Sequence, residues 1–397
     1  MLANDLNRKR TLRLAYIGCW YKNDMYSHNC SDLVEALRAA GMRVDVVTSN
    51  CRCFSSAQAF SINKDELINI NCSPIAIPHA PRNPGKKRGT AKYLAVKMLK
   101  LDVLLATARG FLYFQRARRA DVIHFDQVLE AFGCIPLFIV VLLSNLFGTQ
   151  VAVTVHEIDP VQREHSWINR LYNRCAAVFV YSENMKRQVA ELGADPGKIR
   201  VIRYGASIPE LVPCERNRYI YFGGHNILRG KGFVELVDAM VALKSAERPI
   251  SLLIYVGHGC NGLKEAKELA IRKGVAEMIE WGEFNSGGAL AYAYQQSKAC
   301  IIPYTGGSAR HPVTCAMANA TPIIATHTVD IPEYLGTLGI YVEGTAESIA
   351  SAIRELENDR AKDLSALGKR LRAKAVDEFD YLGIATQLAR EYSEIAS

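Results

Sequence analysis

The sequence predicts an α/β fold built as two doubly wound domains. Two observations carry this reading: short apolar runs alternate with amphipathic stretches along most of the chain, and the alternation halts once, over Gly205–Asn217, before starting again. Strands separated by helices assemble into parallel sheets covered on both faces. A length of 397 residues also exceeds one ordinary core and fits two domains of about 200 residues each.

Taken in order, the first half offers strands at Leu12–Ile17, Arg43–Thr48, Asp121–His124, Val151–Val155, Ala177–Tyr181 and Ile199–Arg203. Helices are expected over Asp32–Ala40, near 131–147 and near 182–192. In the interruption, Pro209, Pro213 and several polar residues break any periodicity. The second half restarts with strands at Tyr219–Phe222, Ser251–Val256, Met278–Trp281, Ala299–Ile302 and Pro322–Ala325, each followed by helix-like sequence. Domains are therefore expected over 1–208 and 216–380, facing across a cleft, with a last helix within 381–397. Ligands of such sheets lie outside the carboxyl ends of the strands.

Composition narrows the class. An apolar share of 49% with 22% charged residues is that of a folded globular protein, which excludes disorder. Eleven scattered cysteines, of which only Cys51 and Cys53 stand close, form no paired C-x-x-C zinc pattern. Small core thiols in a reducing compartment are the expectation. Arg8-Lys9-Arg10 is followed only by Leu12–Ile17 before polar residues, so no secretory signal is read and a cytoplasmic location is expected. The most apolar run, Ile135–Leu143, contains Pro136 and is too short to cross a bilayer.

Charge is uneven. Between His79 and Arg119 eleven Lys or Arg stand against one acid, Asp102, whereas the whole chain carries +8. Leu94, Met98, Leu101 and Leu105 recur at helical spacing with Lys92, Lys97 and Lys100 beside them. That pattern suits a helix lying on an anionic membrane surface, favoured here over nucleic acid and over a merely solvated loop.

The chemistry concentrates in Gly223–Leu236. A short strand runs into Gly223-Gly224-His225-Asn226-Ile227-Leu228-Arg229-Gly230-Lys231-Gly232, and then Phe233, Leu236, Val237, Met240 and Val241 open a helix. A strand that breaks into glycines before a helix gathers unpaired N–H groups and the positive end of a helix dipole. Arg229 and Lys231 add cations, so the turn suits the phosphates of a nucleotide. A second glycine-rich stretch, Thr305-Gly306-Gly307-Ser308-Ala309-Arg310-His311-Pro312-Val313-Thr314, follows the strand ending at Ile302. Its amides and Arg310 can meet a diphosphate at the start of a helix that Pro312 could open. The competing reading is a plain turn whose Arg310 pairs with a carboxylate across the cleft. Asp238 and Asp330 read as helix or loop acids.

With these residues in view, the chain resembles the GT-B glycosyltransferases, most closely family 4. The resemblance rests on Ala36–Thr48, Asp121-Val122-Ile123-His124, Val153-Thr154-Val155-His156-Glu157, Val180–Glu183, Lys231-Gly232, Leu253–Gly259, Trp281-Gly282 and Ala316–Ile324, in the family's order. It departs where the family has two glutamates eight positions apart, which usually hold the donor sugar and the ribose: here stand Gly307 and Cys315. The family's arginine before the lysine is Asn226, with Arg229 as its substitute, and the N-terminal glycine pair is absent near Asp24-Met25 or Tyr26-Ser27.

The resemblance implies transfer of a sugar from a nucleoside diphosphate to a carbohydrate or lipid-linked acceptor, with retention, in surface polysaccharide or glycolipid synthesis. No metal and no other cofactor is implied. A non-catalytic nucleotide-sugar-binding protein and a sugar-nucleotide epimerase remain the alternatives. Catalytic candidates are His156, Lys231 and Arg310. Donor-binding candidates are Arg229, Gly257, Trp281, Ser308, Ala309, His311, Thr314 and Cys315. Trp20, Tyr21, Tyr26 and His28, in the loop expected after the first strand, are acceptor candidates because aromatic rings stack on sugars. Glu157 and Asp159 could act as general base if the reaction inverts. The resemblance also implies an N-terminal acceptor domain, a C-terminal donor domain, and a last helix, Ile384–Ile395, packing back on the first. The protein is expected to sit peripherally on the inner face of the cytoplasmic membrane through residues 79–119.

Overall fold

The computed structural model describes residues 11–17, 24–49, 67–70, 120–126, 141–144, 146–158, 171–244, 250–283, 287–306, 308–328, 330–359 and 361–397. The chain divides into two compact units. One comprises Met1–Lys22, Cys30–Ile202 and Ala385–Ser397, and the other Asn23–Asn29 with Arg203–Ile384.

The first unit holds a seven-stranded sheet of β1 (Arg13–Ile17), β2 (Arg43–Ser49), β3 (Leu67–Ile70), β4 (Val122–Asp126), β5 (Gln150–Thr154), β6 (Ala177–Val180) and β7 (Ile199–Val201). Their order is β3-β2-β1-β4-β5-β6-β7 and every pair is parallel. The central strands are buried without alternation, as befits strands covered on both faces. Their core gathers Ile123, Phe125, Val151, Val153, Val178 and Val180 with Tyr172, Met185 and Val189. Helix α1 spans Asp24–Ala39 and α2 spans Glu183–Glu191. The hydroxyl of Ser182 caps α2 by accepting the N–H of Met185 at 3.0 Å.

The second unit holds β8 (Arg218–Asn226), β9 (Leu252–Asn261), β10 (Ile279–Glu283), β11 (Ser297–Ile302), β12 (Ile323–Thr326) and β13 (Ile340–Val342). The order β10-β9-β8-β11-β12-β13 is again wholly parallel. Its helices are α3 (Phe233–Ala242), α4 (Leu263–Arg272), α5 (Gly287–Gln295), α6 (Arg310–Ala318), α7 (Ile331–Leu335), α8 (Ala346–Asp359) and α9 (Ala361–Glu378). Helix α10 (Tyr381–Ala396) closes the chain. In each sheet the strand order reverses beside the first strand, so the crevices lie at β1/β4 and at β8/β11.

Three differences from the sequence reading have physical causes. Strands β3 and β13 were not foreseen, because four and three residues are too few to show a period. Gly223-Gly224, read as the start of a turn, and Gly257-x-Gly259, beyond the expected strand end at Val256, lie inside β8 and β9. These two strands pair on to Asn226 and Asn261, with register shifts at Phe222/Gly224 and Gly224/Asn226 that absorb the flexible residues. Helix α1 begins eight residues before the predicted start, so Tyr26 and His28 sit on a helix and not in a loop. Of the helix expected near 131–147, residues 141–144 and 146–147 are helical, and 131–140 lie outside the described residues.

Candidate functional site

The β8/β11 crevice of the second unit is where the two glycine-rich stretches meet. The carbonyl of Gly230 accepts the N–H groups of both Thr305 and Gly306 at 3.1 Å, tying the turn after β8 to the loop after β11. Gly232, at φ +63°, precedes α3, and a Cβ there would lie 1.9 Å from the carbonyl oxygen of Pro303. Only glycine permits this approach, which sets the side chain of the preceding residue against the β11 loop. Lys231 Nζ donates to the carbonyl of Ser308 at 3.2 Å and lies 3.9 Å from the centroid of the Tyr304 ring. The Lys231 carbonyl accepts the hydroxyl of buried Tyr221 at 3.2 Å.

Helix α6 begins at Arg310, two residues before Pro312, with Ala309 at its N-cap. Its N-terminus therefore points into the same crevice as Lys231, bringing the dipole and the first N–H groups with it. Half-buried His311 sits in this first turn, its ring 5.2 Å from Phe222 and 6.4 Å from Tyr204. The Sγ of Cys315, one turn on, is 3.7 Å from both ring nitrogens of His311.

Two expectations are corrected. Arg310 is only 5% exposed and donates to Asp330 at 2.8 Å, itself 3% exposed at the N-cap of α7 in the same unit. A buried, paired guanidinium ties α6 to α7 and is not presented to a phosphate; nor is its partner across a cleft. Thr314 is fully buried, and its hydroxyl bonds back to the carbonyls of Arg310 and His311 at 3.1 and 3.3 Å, so it is a helix residue and not a donor ligand. Among the remaining candidates, Ser308 is half-buried and Ala309 buried beside Lys231, while Arg229 is exposed on the turn. Gly257 is buried within β9. Half-buried Trp281 lies in β10, 6.3 Å from Phe233 and under Lys267 at 5.4 Å. Asp238 pairs with Lys273 at 2.7 Å on the helical surface, as an ordinary helix acid would.

In the first unit His156 follows β5 and is buried, with its Nε2 bonded to Asp126 at the carboxyl end of β4. The Tyr181 hydroxyl lies 3.0 Å from the same nitrogen. Burial pushes the Asp126 carboxyl up, but the charge and hydrogen bond of His156, with His124 and Tyr16 behind them, hold it below the usual carboxylate range. His124, two residues before it on β4, is lowered to about 4 chiefly by burial. His124 bonds Thr154 at 2.7 Å through Nε2 and the Tyr392 hydroxyl of α10 through Nδ1. Asp126 and Tyr181 were missed in the sequence, though His124 and Asp126 at i and i+2 signalled a polar strand face.

Glu157 is exposed beside His156. Trp20, Tyr21, Asp159, Gly307 and the whole basic segment 79–119 lie outside the described residues, as do the side chains of Tyr26 and His28. Among the described residues no helix is long and apolar enough to cross a membrane.

Two family profiles match the chain. Residues 27–205 fit the glycosyl transferase 4-like domain and residues 216–359 fit the glycosyl transferases group 1, and between them they cover most of its length. The chain is a glycosyltransferase of the GT-B fold, resembling family 4. The glycosyltransferase is 24% identical over 306 residues to the MMP alpha-(1->4)-mannosyltransferase of Mycolicibacterium hassiacum, covering 69% of this chain and 70% of that protein. Among solved structures it is similar to a glycosyltransferase from Rickettsia africae, with a TM-score of 0.73, 16% identity and 98% and 99% of the two chains covered. It is likewise similar to the sucrose-phosphate synthase of Thermosynechococcus elongatus (TM-score 0.74, 17% identity, 97% and 99% covered). Anabaena HepE in complex with UDP and glucose is a further likeness (TM-score 0.71, 15% identity, 96% and 100% covered).

Proposed function

We propose that this glycosyltransferase draws its sugar from a nucleoside diphosphate bound at the β8/β11 crevice and passes it, with retention, to a carbohydrate or lipid-linked acceptor. The observation that carries the reading is the placement of Lys231: a half-buried ammonium beside the N-terminus of α6, in a turn bonded through Gly230 to the loop that starts that helix. As the anomeric C–O bond breaks, its electron pair moves onto the leaving phosphate. Lys231, the α6 dipole and the amides of 308–310 stabilise that growing charge in place. Arg229 contributes from the exposed edge. In front-face attack the acceptor oxygen bonds the anomeric carbon, and its proton passes to the departing phosphate oxygen. Nothing in this scheme calls on a metal.

In the first unit His156, its ring fixed by the buried Asp126 carboxylate and by Tyr181, would be the group that hydrogen-bonds a sugar hydroxyl. The first unit would then serve the acceptor and the second the donor. UDP bound to a similar fold makes uridine diphosphate sugars the first donors to test. The basic segment 79–119 would hold the enzyme, cytoplasmic, against the inner face of the membrane, where lipid-linked acceptors reside. Sedimentation with liposomes checks this: binding should need acidic lipid and fall when Lys97 and Lys100 become Glu, and binding indifferent to lipid charge would end it.

Thermal unfolding with UDP, GDP, ADP, CMP and their sugars tests the donor site. A ligand at a hundredfold its dissociation constant adds about 2.7 kcal/mol. Lys231→Ala should abolish the shift given by the preferred nucleotide, whereas an undiminished shift places the phosphates elsewhere.

A further inference from the structure

We infer that Tyr304 is a positioning residue for the donor phosphates, acting through Lys231 as a neutral platform for its ammonium. The inference rests on the proposed role of Lys231. The Nζ lies 3.9 Å from the ring centroid, well inside the roughly 6 Å reach at which an aromatic face attracts a cation.

The platform is fixed on every side. Tyr304 is wholly buried, and its hydroxyl donates to the carbonyl of Phe222 on β8. Its own carbonyl accepts the hydroxyls of Thr326, at 2.6 Å, and of Thr328. Tyr221 stands 6.4 Å away, edge to face, and bonds the Lys231 backbone from the other side. The ring cannot tilt without breaking its bond to β8, and the backbone that carries it is tied to Thr326 at the end of β12 and to Thr328 beyond.

A ring face and the Ser308 carbonyl are both uncharged. They hold the ammonium in one place without cancelling its charge, as a carboxylate in their position would. Pre-placing a flexible lysine also removes rotamer entropy that phosphate binding would otherwise have to overcome. Arg310, bonded to Asp330 from the first residue of α6, shows the alternative: a cation held by a carboxylate becomes a structural pair.

Calorimetry with UDP, GDP and ADP, using whichever gives the largest thermal shift, tests this together with the matching nucleoside that lacks phosphate. Tyr304→Leu should weaken the nucleoside diphosphate about tenfold and leave the nucleoside unchanged. Tyr304→Phe, which keeps the ring and loses the bond to Phe222, should stay within about twofold. In a Lys231→Ala background Tyr304→Leu should cost nothing more. Equal losses for Phe and Leu, or an undiminished Leu penalty without Lys231, would make Tyr304 a plain core residue and overturn the inference. If Lys231→Ala alone changes nothing, the proposed phosphate site fails first, and the two failures are thereby told apart. Should Tyr304→Leu not fold, 3,4,5-trifluorophenylalanine at 304 keeps the shape and weakens the ring face. Affinity should then fall severalfold relative to phenylalanine, and an unchanged affinity would equally overturn the inference.

Discussion

The strand ends of the two units handle charge in opposite ways. Around β4 and β5, Asp126, His124 and His156 are buried together: His156 bonds Asp126 directly, and His124, kept neutral by burial, bonds Thr154 and Tyr392. Around β8 and β11, half-buried Lys231 lies over the Tyr304 ring and donates to the Ser308 carbonyl, two contacts that do not cancel its charge. The same strand order thus supports a buried polar cluster in one unit and a lysine resting on an aromatic ring in the other. Arg310 shows that the second unit can also lock a charge, against Asp330.

The largest effect should come from unlocking that pair. Arg310→Ala removes the guanidinium paired with the buried Asp330 carboxylate and should cost about 4 kcal/mol in denaturant unfolding, while replacing both by apolar residues of similar volume should cost far less. A loss below about 1 kcal/mol for the single change would show that the pair is solvated after all.

Acid should separate the units next. His124 titrates near 4 when folded and at an ordinary 6.5 when unfolded, so between those values the unfolded chain binds a proton that the folded chain refuses. Stability should therefore fall, by on the order of 3 kcal/mol, as pH drops from 6.5 to about 4. The folded carboxyl of Asp126 is depressed, so its contribution persists above the unfolded carboxylate range and disappears only as pH falls through its lower folded value. His124→Gln should flatten the limb between 6.5 and 4, and a slope equal to the parent's there would contradict the burial of a neutral His124.

The fold was legible because apolar runs and helical stretches alternate so regularly that strand ends were misplaced mainly at glycines. Gly223 and Gly224 read as the start of a turn, and Gly257 and Gly259 fall beyond the expected strand end, yet pairing with a neighbouring strand overrides a local preference that only tertiary contacts can resolve. The site was legible in its cations and not in their partners. Arg310 and Lys231 look alike in sequence, and only the position of Asp330 twenty residues on, and of the Tyr304 ring, separates a guanidinium paired with a carboxylate from an ammonium over a ring. Tyr392, which reaches His124 from 268 residues away, could not be inferred from any local pattern.

A crystal structure with a nucleoside diphosphate sugar bound would show which groups hold the phosphates. The β-phosphate is expected within hydrogen-bond reach of Lys231 Nζ and the amides at the start of α6, with the Arg310–Asp330 pair intact. Phosphates lying elsewhere, or Arg310 swung away from Asp330 to grip them, would contradict this placement.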